Sequence, residues 1–420
     1  MPEQHFSYLI QQFFLDKISE KELSELDQLL KTDETSREEF AAYARLHHKL
    51  SGMAYSPKGN KKKEALFQSV LQKINSGESL DPDKDNFRTA KAPHRETEEV
   101  KTGRYRSARS IARRRFIYGL AASVVVLIGI TFFYRTFQTP PSIEKYSKFK
   151  LQSPSHEGDV RLIVDGEEID INEANPVISY SESGERIDIN EKQAVHQKTV
   201  DKDNYNTVVV PYGKRSSVLL ADGTKVWLNS GSVLTYPSRF SKKRREVYLE
   251  GQAVFDVSHD AKKPFYVLSA GQVVKVLGTI FDVRSYPDED FSRTVLKSGS
   301  VEITYPEVST EHSTVRITPN TLAMFDKTSG DVARMDVDAD SYMSWREGVF
   351  VFENEKVEEI AKTISRYYGV EIELDGEFEN ITTYSGKLDM KASLEDVLDI
   401  IKGSLYFDYR RESGKIILTN

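Results

Sequence analysis

Residues 219–229 read LLADGTKVWLN. An apolar run leads into Asp222-Gly223, and an alternating run follows that ends in Asn229. The theme recurs at 162–172, LIVDGEEIDIN, with Asp165-Gly166, and at 179–190, SYSESGERIDIN, with Ser183-Gly184. Such pairs accept the positive φ angles of tight hairpins, so each copy predicts two antiparallel strands. Strand-like runs continue as REVYLEGQAVFDVS (245–258), PFYVLSA (264–270), VVKVLGTIFDVRSY (273–286), RTVLKSGSVEITY (293–305) and TLAMFDKTSGDVARM (321–335). Turn residues punctuate them and no helical period intervenes. The pattern predicts an all-β sandwich or stacked-sheet domain over 205–335, with a stalk of hairpins over 135–204 leading into it.

Downstream the period changes. GVFVFEN (348–354) reads as a strand capped by Asn354. Val357, Ile360, Ala361, Ile364 and Tyr367 form a helical stripe stopped by Gly369. VEIEL and TTYSGKLDM follow as strands, and Ser393 with Asp396 caps a stripe of Leu394, Val397, Leu398 and Ile401. YFDYRRESGKIILT closes as a hairpin. Residues 343–420 therefore predict an α+β module of order β-α-β-β-α-β-β, with edge strands on which an extended peptide can pair.

Upstream, residues 116–134 read FIYGLAASVVVLIGITFFY, without a charge. As a helix they span about 28 Å, the thickness of a bilayer's hydrocarbon layer, and predict a single transmembrane helix. Lys101, Arg104, Arg106, Arg109, Arg113, Arg114 and Arg115 precede it, whereas only Arg135 follows before Lys145. The positive-inside rule then places the N-terminus in the cytoplasm and residues 136–420 outside.

Residues 1–75 carry helical stripes: Phe6, Leu9, Ile10, Phe13 and Phe14; Leu23, Leu26 and Leu30 behind a Ser19/Glu22 capping box; Phe40, Tyr43, Ala44 and His47 behind Thr35/Glu38; and Leu66, Phe67, Val70, Leu71 and Ile74. Four short helices bury only a thin core, so they either pack as a minimal bundle or complete their core on a partner. His47 and His48 point about 100° apart on a helix and do not chelate one ion together. Residues 76–115 are polar and basic and read as a flexible linker.

Function classes narrow by elimination. The chain has 58 basic and 65 acidic residues, a net charge of −7, and no cysteine. Disulfides, thiol catalysis and Cys-containing zinc sites are excluded, and nothing in the balance suggests a nucleic-acid coat. No P-loop, zincin or nucleophile-elbow motif occurs, and no cofactor or metal is expected. One dipeptide carries latent chemistry. A hydroxyl such as that of Thr279, beside a strained Gly278 carbonyl, can attack it and exchange the amide for an ester. The plainer explanation is a glycine at a bulge or close strand contact.

The run VPYGKRSSVLLADGTKVWLNSGSVLTYP (210–237), with RREVYLEGQAVFDVS, VLGTIFDVRSYPD and LKSGSVEI, resembles the FecR domain of Bacteroidetes-type anti-sigma factors. SWREGVFVFENEKVEEIAKTISRYYGVEIEL with SLEDVLDII is similar to their C-terminal domain, itself akin to the short N-terminal domain of secretins and TonB-dependent receptors. The resemblance implies a single-pass protein of the bacterial inner membrane. Its helical module would hold an extracytoplasmic-function sigma factor, with Phe6, Leu9, Ile10, Phe13, Leu23, Leu26, Phe40 and Tyr43 as the sigma-binding residues. Its periplasmic part would take a signal from the N-terminal signalling domain of a TonB-dependent outer-membrane receptor. Stepwise cleavage by membrane-embedded and periplasmic proteases would then release the sigma factor and switch on uptake of iron-siderophores or glycans. Some relatives cut themselves at a Gly-Thr, which Gly278-Thr279 matches. The chain would otherwise be no enzyme and would not bind nucleic acid directly. The other reading is a membrane-anchored glycan-binding or structural module, with Trp227, Tyr236, Tyr248 and Tyr266 as candidate aromatics.

Overall fold

A computed structural model describes residues 2–14, 17–51, 62–63, 65–67 and 158–419, apart from 174, 199, 306–313, 377, 379–382 and 406. All of them belong to one compact unit.

Eighteen strands form one hydrogen-bonded network folded into two layers. The first layer has the order β2 (Glu167–Ile171), β1 (Val160–Val164), β6 (Tyr205–Val209), β9 (Val233–Pro237), β10 (Arg245–Asp256), β11 (Phe265–Ser269), β12 (Gln272–Val276), β15 (Val301–Thr304) and β16 (Thr314–Ile317). The second has the order β5 (Gln193–His196), β4 (Arg186–Ile189), β3 (Val177–Tyr180), β7 (Ser216–Leu219), β8 (Lys225–Leu228), β10 again, β13 (Ile280–Ser285), β14 (Phe291–Ser298), β17 (Thr321–Asp326) and β18 (Val332–Asp336). Most pairs are antiparallel; β3–β7 and β10–β11 are parallel.

β10 joins the layers. Its first half pairs with β9 and β11, and from Gly251 onward it pairs with β8 and β13. One core runs between the layers, through Leu162, Ile178, Ile187, Leu228, Leu249, Phe255, Phe281 and Phe325. Ile178 and Ile187 come from the hairpins expected to be a lead-in stalk. Those hairpins instead supply strands to both layers, because their inward residues alternate in step with the sandwich. The Asp-Gly theme also diverges. Asp165 and Gly166 both have positive φ, as in a type I′ hairpin, whereas Asp222 does not. Asp222 Oδ2 instead accepts from Nη1 of the buried Arg245 at 2.8 Å.

A connector of helix α4 (Ala339–Met343) and a 3-10 turn (Ser344–Glu347) leads to the C-terminal module. That module has the order β19 (Val349–Glu355), α5 (Val357–Tyr368), β20 (Ile372–Asp375), β21 (Tyr384–Asp389), α6 (Leu394–Leu405), β22 (Asp408–Glu412) and β23 (Lys415–Thr419). It is divided between a β19–β21 pair and a three-stranded sheet, β20-β23-β22. Asn354 does not cap the helix. It lies at a register shift with φ 53°, and its N–H donates to Ser385 Oγ.

The N-terminal helices are α1 (Pro2–Phe14), α2 (Glu20–Thr32) and α3 (Glu34–Ser51). The Ser19/Glu22 box caps α2. Before α3 the cap is Asp33, whose carboxylate accepts from Ser36 N, rather than Thr35.

The fold class read from the sequence needs one correction. It included a transmembrane helix, but no helix among the described residues is long and apolar enough to cross a membrane. The longest, α3, is amphipathic and carries charges along its length. The segment 116–134 assigned to the span lies outside the described residues, as do the linker 76–115 and Val70, Leu71 and Ile74. The architecture supported is a mostly β sandwich with a small helical bundle and an α+β module.

Candidate functional site

The eight sigma-binding candidates are brought together. Phe6, Leu9, Ile10, Phe13, Leu23, Leu26 and Phe40 are buried in one cluster with Leu30, Ala44, Leu66 and Phe67, and Tyr43 packs at its edge. The Phe13 and Phe40 rings meet edge-on with centroids 5.2 Å apart. The helices thus fill their own core as a minimal bundle. On the outer face of α1, Tyr8 is exposed. α1 and α3 also touch β18: Gln11 Nε2 donates to Asp336 O, Arg334 pairs with Glu39 at 2.9 Å, and the Tyr43 hydroxyl lies 3.7 Å from Met335 Sδ.

Gly278 and Thr279 sit between β12 and β13. Backbone bonds hold both neighbours: Asp260 N donates to Leu277 O, and Val257 N donates to Thr279 O. A Cβ on Gly278 would lie 2.7 Å from His259 Cα, so the glycine permits a close strand crossing. Its φ is not in the left-handed region. The Thr279 hydroxyl is buried and donates to Ser300 O at 3.2 Å.

Of the aromatics offered for a glycan, Tyr236 is buried and its hydroxyl donates to Tyr180. Tyr248 is buried as well. Trp227 lies under the Arg346 guanidinium, 4.9 Å from its ring. These three do not form the exposed row that a sugar would stack on. Among the described residues no group of three or more His, Asp or Glu is arranged to hold a metal ion.

A buried charge constellation among the described residues carries no motif in the sequence. It lies where the C-terminal module meets the sandwich, around a cavity of about 50 Å3 lined by Asp282, Arg284, Arg293, Trp345, Glu355 and Glu359. That volume suits a few waters. Trp345 Nε1 donates to Asp282 Oδ1 at 3.1 Å, and Gln252 Nε2 lies 3.2 Å from both Asp282 oxygens. Arg293 pairs with Glu355 at 2.7 Å. Arg284 and Arg366 both reach Glu289. Burial would push the Glu289 carboxyl up, but Arg284 and Arg366 overcome this and hold it at about 2. The only sequence trace of this group is the acidic turn Asp288-Glu289-Asp290 after an apolar strand.

Asp282 behaves oppositely. Burial pushes its carboxyl up to about 7 despite the hydrogen bonds from Trp345 and Gln252. Between about pH 4 and 7 the folded protein holds a proton that the unfolded chain releases, so this group makes stability fall as pH rises. The loss is complete above about 7. Glu289 works in the other direction, and its contribution is lost as pH falls below about 4.5. Asp282→Asn keeps the acceptor for Trp345 and removes the titration. From pH 5 to 7 wild type is expected to lose about 1–2 kcal/mol relative to the variant in denaturant titrations. Parallel pH profiles would refute the assignment.

The family described as "FecR protein" matches residues 206–302, and "FecR, C-terminal" matches 349–418. Two crystal structures from Parabacteroides distasonis, each described as a "putative anti-sigma factor", are 33% and 32% identical to the chain. They cover 50% and 51% of it and 97% and 99% of their own chains, with TM-scores of 0.48. No curated protein matches. With both family profiles and that identity over nearly the whole of the Parabacteroides chain, the protein belongs to the FecR family of anti-sigma factors. Members of this family are regulators rather than enzymes, and the partner of an anti-sigma factor is a sigma factor.

Proposed function

We propose that the helical bundle controls an extracytoplasmic-function sigma factor and that the C-terminal module receives the signal. The sender is the N-terminal signalling domain of a TonB-dependent outer-membrane receptor, and the output is transcription of nutrient-uptake genes. The observation that supports the receiver role is the small sheet β20-β23-β22. Among the described residues β20 pairs on one side, with β23, and its Leu374 is 36% exposed. β22 is the other edge and carries three consecutive charges, Arg410, Arg411 and Glu412, against Glu373 and Asp375 on β20; charges on an edge discourage pairing. An incoming strand on β20 gains main-chain hydrogen bonds and a contact for its alternate side chains.

This reading places the sandwich and C-terminal module on the periplasmic side and the bundle on the cytoplasmic side of the inner membrane. The contacts between the bundle and β18, with the packing of Tyr43 against the Leu322 and Met324 cluster, are open in that arrangement. Proteolysis after receptor contact is the proposed route of sigma-factor release, and self-cleavage at Gly278-Thr279 is not needed for it.

Deleting residues 343–420 is expected to leave sigma-factor capture intact and to abolish the transcriptional response to inducer. Leu374→Asp, which spares the module's core, is expected to reduce the response at least tenfold. Normal induction of both variants in a reporter strain would place the receptor contact on 205–335 instead.

A further inference from the structure

Glu289 lies in the turn between β13 and β14, yet its carboxylate holds two guanidinium groups. Arg284 of β13 donates to it twice, from Nε at 2.9 Å and Nη2 at 2.7 Å. Arg366 of α5 in the C-terminal module donates to it from Nη1. Side chains of Glu289 and Arg366 are each 4% exposed, and that of Arg284 is 13% exposed. The rest of the junction radiates from this group. Arg366 Nη2 reaches both oxygens of the half-exposed Asp288 at 2.8 and 2.7 Å, and its guanidinium stacks 3.7 Å over the Tyr286 ring. Lys362 Nζ donates to Asp288 O. Arg284 Nη2 also reaches Thr363 Oγ1, and Glu359 stands 4.0 Å away. Gly213 N donates to Arg366 O at 2.7 Å.

We infer that Glu289 is a latch that holds the C-terminal module against the sandwich, and that the module leaves as one body when the latch is lost. Two features support this. First, Glu289 is the only buried carboxylate among the described residues bonded to both Arg284 and Arg366. Without it, two buried like charges face each other with only the half-exposed Asp288 and the more distant Glu359 as counter-charges, a destabilising arrangement. Second, the closed state is finely balanced. Burying ions sacrifices their hydration, so the charged part of the junction gains less over its separated, hydrated halves than the apolar part, where Val254, Trp227 and Ile280 pack against the module's core. Arg366 Nε is buried without a hydrogen-bond partner, which narrows the gap further. The connector stays attached when the module opens. Trp345 is bonded to Asp282, and Arg215 Nη1 donates to Trp345 O at 2.9 Å, so this turn serves as the hinge.

The inference rests on the proposed receiver role only for its consequence: a partner that prefers the open state shifts the balance toward it. Hydrogen exchange on the full chain tests the latch itself. In Glu289→Gln, protection of the Gly213 amide and of 357–369 is expected to fall at least tenfold, while that of 247–255 in β10 stays unchanged. The triple variant Arg284→Met, Glu289→Leu, Arg366→Met fills the same space without charge and is expected to match or exceed wild-type protection. Glu289→Gln with protection within twofold of wild type overturns the latch, and so does an open triple variant. A transcriptional reporter separates the two readings. An exchange-open Glu289→Gln that still responds normally to inducer leaves the latch standing and removes the receiver role.

Discussion

Replacing Gly251 by alanine is expected to lower the melting temperature of the sandwich by about 6–12 °C, from a loss of about 3 kcal/mol. Two effects combine. Gly251 has φ +106°, a region essentially reserved for glycine. A Cβ there would also lie 2.7 Å from Ser232 Cα and 2.5 Å from its Oγ. Ser232 cannot swing aside, because its hydroxyl donates to Gln252 O and accepts from Gln252 N. The position is where β10 leaves one layer for the other, Glu250 pairing with Val233 and Gly251 with Ser285. Gly330→Ala is the control. Its φ is +76° but a Cβ meets nothing within 4 Å, so only the conformational term of about 1 kcal/mol remains. Equal melting temperatures for the two variants would refute the layer-crossing argument.

Leu9→Asp is expected to abolish sigma-factor capture by unfolding the helical bundle. Leu9 is 0% exposed, enclosed by the aromatic and leucine side chains of all three helices. A carboxylate there loses its hydration inside an apolar cluster, and the leucine's apolar contacts are lost as well. The combined penalty is about 4 kcal/mol or more, beyond what so small a core supplies in reserve. Limited proteolysis should open residues 1–76 while the sandwich stays resistant. Tyr8→Ala, at an exposed position of the same helix, should leave the bundle resistant. Undiminished co-purification of the sigma factor with Leu9→Asp would show that capture does not need the bundle's fold.

The local order of the chain was written in short-range pattern. The stripe Val357, Ile360, Ala361, Ile364 with Gly369 behind it specifies α5, and Ser19 with Glu22 specifies the start of α2, because helix periodicity and capping involve residues within one or two turns. The hairpin at Asp165-Gly166 is equally local. The sigma-binding candidates were found as apolar stripes, and a stripe marks a buried face without saying what covers it. Here the other helices of the bundle do.

Long-range neighbours carried no such mark. The hairpins at 160–196 alternate like any half-buried strands, and only pairing β1 with β6 and β3 with β7 draws them into the sandwich core. Asp222 reads as a turn residue, yet its oxygen is taken by Arg245, 23 positions away in sequence. Arg366 lies on an amphipathic helix, where a charged residue ordinarily faces water. Its burial against Glu289, 77 positions earlier, follows only once α5 docks on the β13–β14 turn. Periodicity reports which face of an element is apolar and is therefore readable within a single segment. An ion pair buried between distant segments draws its stability from the dielectric and geometry that the assembled fold creates, so it leaves no periodic trace in the sequence.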